Sequence, residues 1–310
     1  MDIFTHLVFG ALTFNLFQNV GISNYLLLIL FFSILPDLDI FITPLKRKFK
    51  SNYLEHRSGS HSYIIGLILS IIICGIFSII TSEPFLIAWV LGIFFYGIHI
   101  SLDLLNTTKI PCFYPISKKE YCFYVEKAGS SFTLLTSWIF IISLLVVFNN
   151  FPSFFLAVIN IYTNFTIFYY LYRILTKIWI NSHLKENQKY FPGVLPFCFV
   201  IFEKEIIDNN LSLLVERKSH FSKSKLIHKS KSILTPQEMI FFKEGIEMYK
   251  ENYYFSKWTV LPIFIRTNDV FSIKFFFLEP MVHSRAMYIQ YNFDMNSRKI
   301  ISNDRSFGHI

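Results

Sequence analysis

Six residues of metal-ligand type, His6, Asp37, Asp39, His61, His99 and Asp103, lie inside or against stretches of sequence that are otherwise long and apolar. A charged or imidazole side chain at membrane depth costs at least about 2 to 3 kcal/mol unless it is paired or bound to an ion, so each of the six is a functional candidate. Imidazole nitrogens combined with carboxylate oxygens suit zinc, or manganese and iron, better than calcium. Three or four histidines and three aspartates supply donors enough for two ions. Ions held this way lower the pKa of a bound water to about 7, and a second ion or the nearby Arg57 would offset charge on a phosphoryl or carbonyl oxygen. That is the chemistry of metal-assisted hydrolysis, with Asp39 and Arg57 as its candidate catalytic residues. His99 and Asp103 stand four apart and therefore share one helix face. Pro36 removes a backbone donor just before Asp37 and Asp39, a break tolerated at membrane depth only where the site is buried or wet.

The elements that must position these residues are membrane helices. The 310 residues are 53% hydrophobic and 19% aromatic, with a mean hydropathy of +0.44, which excludes an ordinary cytosolic domain. About six stretches have the 17 to 25 or so residues needed to cross a hydrocarbon core: Ile3 to Val20, Tyr25 to Ile42, His61 to Thr81, Phe85 to Asn106, Phe132 to Phe148 and Phe154 to Ile180. The first has Asp2 where a signal peptide would carry basic residues and no small-residue cleavage site after it, so it is expected to be a mature helix.

Lys and Arg fix the expected orientation. Lys46, Arg47, Lys48, Lys50 and Arg57 follow the second stretch, Lys109, Lys118, Lys119 and Lys127 the fourth, and Lys177, Lys185 and Lys189 close the sixth, while the loops around Asn19, Glu83 and Asn150 carry none. The positive-inside rule then puts both termini in the cytoplasm of a multi-pass plasma or inner membrane protein. With that orientation the first four stretches deliver their polar residues to one, cytoplasmic, side. Because the ligand-type residues played no part in setting the orientation, their convergence is an independent sign of a single site.

Cys74, Cys112, Cys122 and Cys198 fall in a span or on the cytoplasmic side and are expected to be free thiols. The net charge of +8 is spread evenly, 13 basic against 9 acidic residues through Tyr190 and 16 against 12 beyond, so there is no strong nucleic-acid signal.

Near Tyr190 the long apolar runs give way to short alternating ones, and a cytoplasmic β-rich α+β domain, residues 191–310, is expected to follow the helical domain of residues 1–190. Phe197 to Glu203, Leu211 to Glu216, Thr259 to Arg266, Phe271 to Leu278 and Ala286 to Phe293 read as strands, with a turn at Thr267-Asn268-Asp269. Thr235-Pro236-Gln237-Glu238 opens a helix to about Tyr249. The Ser/Lys-rich segment from Lys218 to Lys231 reads as a mobile basic loop.

Four phrases together, Thr5-His6, Leu35-Pro36-Asp37-Leu38-Asp39, His56-Arg57-Ser58-Gly59-Ser60-His61-Ser62, and His99 through Asp103-Leu104-Leu105-Asn106 followed by Tyr114-Pro115-Ile116, resemble the YdjM-like family of inner-membrane metal-dependent hydrolases over about Met1 to Tyr190. That family is in turn similar to zinc-dependent phospholipase C and the single-strand nucleases. The resemblance implies a metal-site role for His6, Asp37, Asp39, His56, His61, His99 and Asp103, with zinc the expected metal and a phosphodiester or lipid-like substrate. Two departures, Thr107-Thr108-Lys109 in place of a glycine and Ile116 in place of an aromatic, fall on the rim of the site.

The leading expectation is a membrane-bound hydrolase acting at the cytoplasmic face, in contact with membrane lipid. The rival is a non-catalytic scaffold or regulator, pinned by metal, whose C-terminal domain binds a protein partner. A metal transporter would carry polar residues on through the outer halves of the spans, and these are apolar.

Overall fold

The computed structural model describes residues 2–17, 21–41, 57–207, 209–251, 256–267, 269–297 and 299–310. His56, the basic run Lys46, Arg47, Lys48 and Lys50, Asn19 and the turn residue Asn268 lie outside the described residues. Two compact units, Met1–Tyr172 and Arg173–Ile310, divide the chain.

The first unit opens with helix α1 (Ile3–Phe17) and α2 (Leu26–Ile34), which continues as a 3-10 helix, Leu35–Phe41. The tighter winding begins where Pro36 withholds a backbone donor. Helices α3 (Tyr63–Thr81), α4 (Phe85–Leu104), α5 (Ser131–Asn150) and α6 (Phe155–Asn181) follow, the last crossing the division between the units. Among the described residues, five helical segments are long and apolar enough to cross a membrane: Ser23–Phe41, Tyr63–Thr81, Phe85–Leu104, Ser131–Asn150 and Pro152–Asn181. The expected first span differs. Its described helix has 15 residues, short of the roughly 20 that span a hydrocarbon core.

Apolar side chains face outward along these helices, as a lipid-facing surface requires, while Phe32, Ile29, Phe95, Tyr96 and Ile100 form the interior between α2, α3 and α4. Close approach depends on missing side chains. A Cβ on Gly66 would lie 2.3 Å from the Tyr96 ring, and one on Gly10 would lie 2.2 Å from Ser33 Oγ, so α3 meets α4, and α1 meets α2, through glycine. After α4 the chain folds back on itself: the amides of Val125 and Glu126 donate to the Leu105 carbonyl, and Ile110 pairs with Tyr121.

The second unit holds two four-stranded antiparallel meanders. One runs β1 (Gln188–Pro192), β2 (Cys198–Ile207), β3 (Asn210–Ser219), β4 (Lys225–Ile233), and the other β5 (Val260–Arg266), β6 (Val270–Phe277), β7 (Arg285–Asp294), β8 (Ile300–His309). Between them in sequence comes α7 (Pro236–Glu251), whose Phe241 stacks on Phe293 with ring centroids 4.7 Å apart. The helix start is the expected capping box: Thr235 N donates to Glu238 Oε2 at 2.7 Å and Glu238 N to Thr235 Oγ1 at 3.3 Å. Tyr190, where the texture of the sequence changes, lies within β1 opposite Ile201.

One expectation fails. The basic segment from Lys218 to Lys231 is not a loop but a hairpin, since Lys225–Ile233 pairs along β3 as an edge strand. An edge strand needs no apolar face of its own, and its lysines discourage a further strand from adding, which is why alternating Ser and Lys looked unstructured in the sequence. Strands β1 and β8 were likewise missed, β8 for the same reason: it is exposed almost throughout.

Candidate metal centre

Asp37, His61, His99 and Asp103 converge in the first unit, each offering one ligand atom, and the four atoms lie within 4.8 Å of one another. All four residues are buried. Their positions follow from the helices. Asp37 is held on the 3-10 turn behind Pro36, His61 one residue ahead of the Ser62 that caps α3, and His99 and Asp103 on one face of the last turns of α4.

The hydrogen bonds around the imidazoles decide which nitrogen faces inward. His99 Nδ1 lies 2.7 Å from the Ser33 carbonyl, which can only accept, so Nδ1 carries the hydrogen and Nε2 keeps its lone pair. Ser60 Oγ donates its hydrogen to Asp39 Oδ2, so the 3.1 Å contact between Ser60 Oγ and His61 Nδ1 must be donated by the ring. Both Nε2 atoms then point their lone pairs at the same place, 3.5 Å from each other. Asp37 Oδ1, 3.5 Å from His61 Nε2 and 3.8 Å from His99 Nε2, has no hydrogen-bond partner although buried. Asp103 Oδ2 completes the group 3.0 Å from His61 Nε2. Two imidazoles and two carboxylates that converge in this way are a donor set that could hold a divalent cation.

His6 approaches from α1 on the far oxygens of the same carboxylates: its Nε2 is 3.3 Å from Asp103 Oδ1 and 3.8 Å from Asp37 Oδ2, and its ring stacks on His99 at 3.6 Å between centroids. Asp39 stands behind His61, 3.6 Å from Nδ1, and accepts from the Arg57 amide at 3.1 Å. Arg57 holds φ at +60°, a left-handed backbone costly for a residue with a side chain and common at functional sites. Its Nε lies 3.5 Å from Asp103 Oδ2 and its Nη1 donates to Thr108 Oγ1 at 3.3 Å. Thus His6, Asp37, Asp39, Arg57, His61, His99 and Asp103 come together, and His56 lies outside the described residues.

Three partners had no role assigned from sequence. Ser60 and Asn106 sit within the motif phrases, and Asn106 Nδ2 donates to Asp103 Oδ1 at 2.8 Å from just beyond the end of α4. The Ser33 carbonyl is backbone and leaves no sequence signal.

Apolar membrane-length helices that gather a buried His/Asp cluster near their ends define a membrane protein with a potential metal site. The sequence model of the YdjM inner membrane protein family matches residues 1–182, more than half of the chain, and the chain belongs to that family. Neither the curated proteins nor the solved structures provide a match.

Proposed function

We propose that this protein is a multi-pass, divalent-metal-dependent hydrolase that acts on a phosphodiester or lipid-like substrate at the cytoplasmic face, with zinc as its metal. The observation that carries the reading is the convergence of two Nε2 lone pairs on the oxygens of Asp37 and Asp103. Tetrahedral N/O coordination favours zinc, with manganese and iron as alternatives. Asp37 and Asp103 turn one oxygen toward His61 and His99 and the other toward His6, so His6 would add a donor beside the set.

A bound divalent ion would supply an acidified water and polarise a phosphoryl oxygen. The chain supplies the rest. Arg57 presents a planar fork of donors beside the centre, suited to two phosphoryl oxygens at once. Asp39 lies behind His61 and, with Ser60, would hold the orientation of that ring. Ser60 and Asn106 hold Asp39 and Asp103 in place.

Metal content of the purified protein, measured beside its phosphodiesterase and phospholipase activity, tests the reading. Arg57→Lys should keep the metal and lose activity, since an ammonium cannot reproduce the fork. The orientation has its own test: reporters fused after Tyr190 and inserted at residues 46–50 should both read as cytoplasmic. A metal-loaded protein that hydrolyses no phosphodiester, phospholipid or peptide would leave the second reading, a scaffold pinned by metal whose C-terminal domain binds a partner. The complete burial of His6, His61 and His99 favours that second reading, because any substrate must enter past Arg57 and the aspartates.

A further inference from the structure

The second unit contains its own marker of where the membrane ends. Helix α6 has 27 residues, and at 1.5 Å per residue a core of about 30 Å entered at Phe155 is left near Leu175. Arg173 then sits at the edge of the hydrocarbon and Trp179 about 6 Å beyond it, at the headgroup level that tryptophan prefers. Leu175, Ile178 and Trp179 are exposed on this stretch, as lipid contact requires.

Two loops of the β-rich unit are fastened to α6 at those depths. The turn from Gly193 to Pro196 gives its carbonyls to the buried guanidinium of Arg173: Nη2 donates to Gly193 O at 3.2 Å, and Nη1 to Pro196 O at 3.2 Å and Leu195 O at 3.4 Å. An arginine at the hydrocarbon edge needs such acceptors, and the turn that supplies them is drawn to its depth. The tip of the β3–β4 hairpin lies beside Trp179, with His220 6.1 Å from that indole. Phe221 packs on Phe197 at 5.5 Å between centroids and is still 81% exposed. From Arg217 to Lys225 the hairpin carries four basic residues, Arg217, Lys218, Lys223 and Lys225, and no acidic one, although Lys218 pairs with Glu216 just before them at 3.4 Å. Lys223 and Lys225 are exposed.

We propose that the β3–β4 hairpin is a membrane anchor: Phe221 enters the interfacial layer beside Trp179 while Lys223 and Lys225 engage anionic phospholipid headgroups. An exposed aromatic ring flanked by lysines at headgroup depth is the pattern of an interfacial segment, in which the ring is buried in the acyl boundary and each lysine meets the negative surface. The occupant is a bilayer bearing anionic phospholipid, indicated by the all-basic charge of the tip and by its depth along α6. This inference rests on α6 crossing the membrane and is independent of any catalytic activity.

The test uses the full chain in nanodiscs of phosphatidylcholine, alone or with phosphatidylglycerol. Phe221→Trp adds one indole at the tip, read as the difference in fluorescence from wild type; Ser222→Trp, an exposed neighbour, serves if the first variant does not fold. The added indole should emit to the blue of its value in water, be shielded from iodide, and be quenched by brominated phosphatidylglycerol at least about two-fold more than by brominated phosphatidylcholine, a preference lost when Lys223 and Lys225 are changed to Gln. An indole that iodide quenches and brominated lipid does not would overturn the proposal. So would quenching indifferent to lipid charge and to the lysines, and so would shielding that disappears in nanodiscs holding a single chain, which would assign the surface to a second copy.

Discussion

Both halves of this protein bury carboxylates, but the Asp37 cluster of the helical unit differs from the buried glutamates of the β-rich unit. In the β-rich unit Glu238 is answered by hydrogens: Arg266 Nε donates at 2.5 Å and Nη2 at 3.0 Å, and the Thr235 amide at 2.7 Å. Glu279 likewise receives the Thr259 amide at 2.7 Å and its hydroxyl at 2.8 Å, with Lys189 Nζ 3.9 Å away. In the helical unit Asp37 Oδ1 lies 3.5 Å from His61 Nε2 and 3.8 Å from His99 Nε2, within a cluster of four close ligand-type atoms. The first arrangement completes itself, as a buried charge in a folded protein ordinarily must. The second leaves a cluster that could hold a cation. That contrast separates polar groups that complete one another in the fold from a group with room for an ion, without appeal to any activity.

The largest expected effect breaks the second arrangement outright. Replacing His61, His99 or Asp103 by Ala should lower bound divalent metal by more than about 100-fold in affinity, above the 10- to 100-fold typical of outer partners. The exposed His183 and His220 should be replaceable without loss. Metal analysis by plasma mass spectrometry decides; full occupancy in all three variants would place the cluster with the self-completing carboxylates. A smaller loss, about 10- to 100-fold, is expected from Ser60→Ala, which removes the acceptor that holds the hydrogen of His61 on Nδ1. Unchanged affinity there would mean that the tautomer of His61 is set by something else.

How far this contrast could be read from sequence differs between the halves. The membrane site was legible because polar residues in apolar runs stand out, and because residues as far apart as His6 and Asp103 were brought to one side by topology alone. What stayed hidden was the control of the imidazoles, since the Ser33 carbonyl belongs to the backbone and Ser60 looks like any serine. In the β-rich unit the interior strands announced themselves through alternation, Phe271 and Ile273 facing the core for example. The edge strands β4 and β8 did not, because an edge takes its register from its neighbour's hydrogen bonds and carries no pattern of its own. The Glu238 to Arg266 pair joins residues on α7 and β5 that no motif connects.

That pair supplies the next test. Although burial alone would push the Glu238 carboxyl up, the bonds from Arg266 and then Thr235 outweigh it and hold the group below the usual carboxylate range. The folded state therefore binds this proton less readily than the unfolded chain. The stability it contributes is present above the ordinary glutamate pKa and lost as pH falls through the lower, folded value. Glu238→Gln should cost about 1 to 3 kcal/mol at neutral pH, flatten that acid limb, and leave metal content unchanged. Hydrogen exchange in β5 to β7 would report it, and a variant that lost metal as well would dissolve the separation drawn between the two kinds of carboxylate.

The smallest effect sharpens the comparison most finely, because it sets two like residues in the two unlike settings. Thr235 caps α7 and Ser62 caps α3, each accepting from a backbone amide of the first turn: Glu238 N at 3.3 Å and Ile64 N at 3.2 Å. Replacing either by Ala should cost about 1 kcal/mol through the lost cap. Among the described residues the hydrogen bonds of Thr235 run to its own helix start and the carboxylate of Glu238, so Thr235→Ala should lower stability and no more. Ser62 follows His61 directly, and its hydroxyl also donates to the Tyr114 carbonyl, tying the start of α3 to the loop that folds back after α4. Loosening that tie moves the His61 ring relative to Asp103, and ligand geometry tolerates far less displacement than a helix end does. Ser62→Ala should therefore show the same small loss of stability together with a measurable loss of metal affinity. Equal behaviour of the two variants in both measurements would mean that the centre does not depend on how α3 begins.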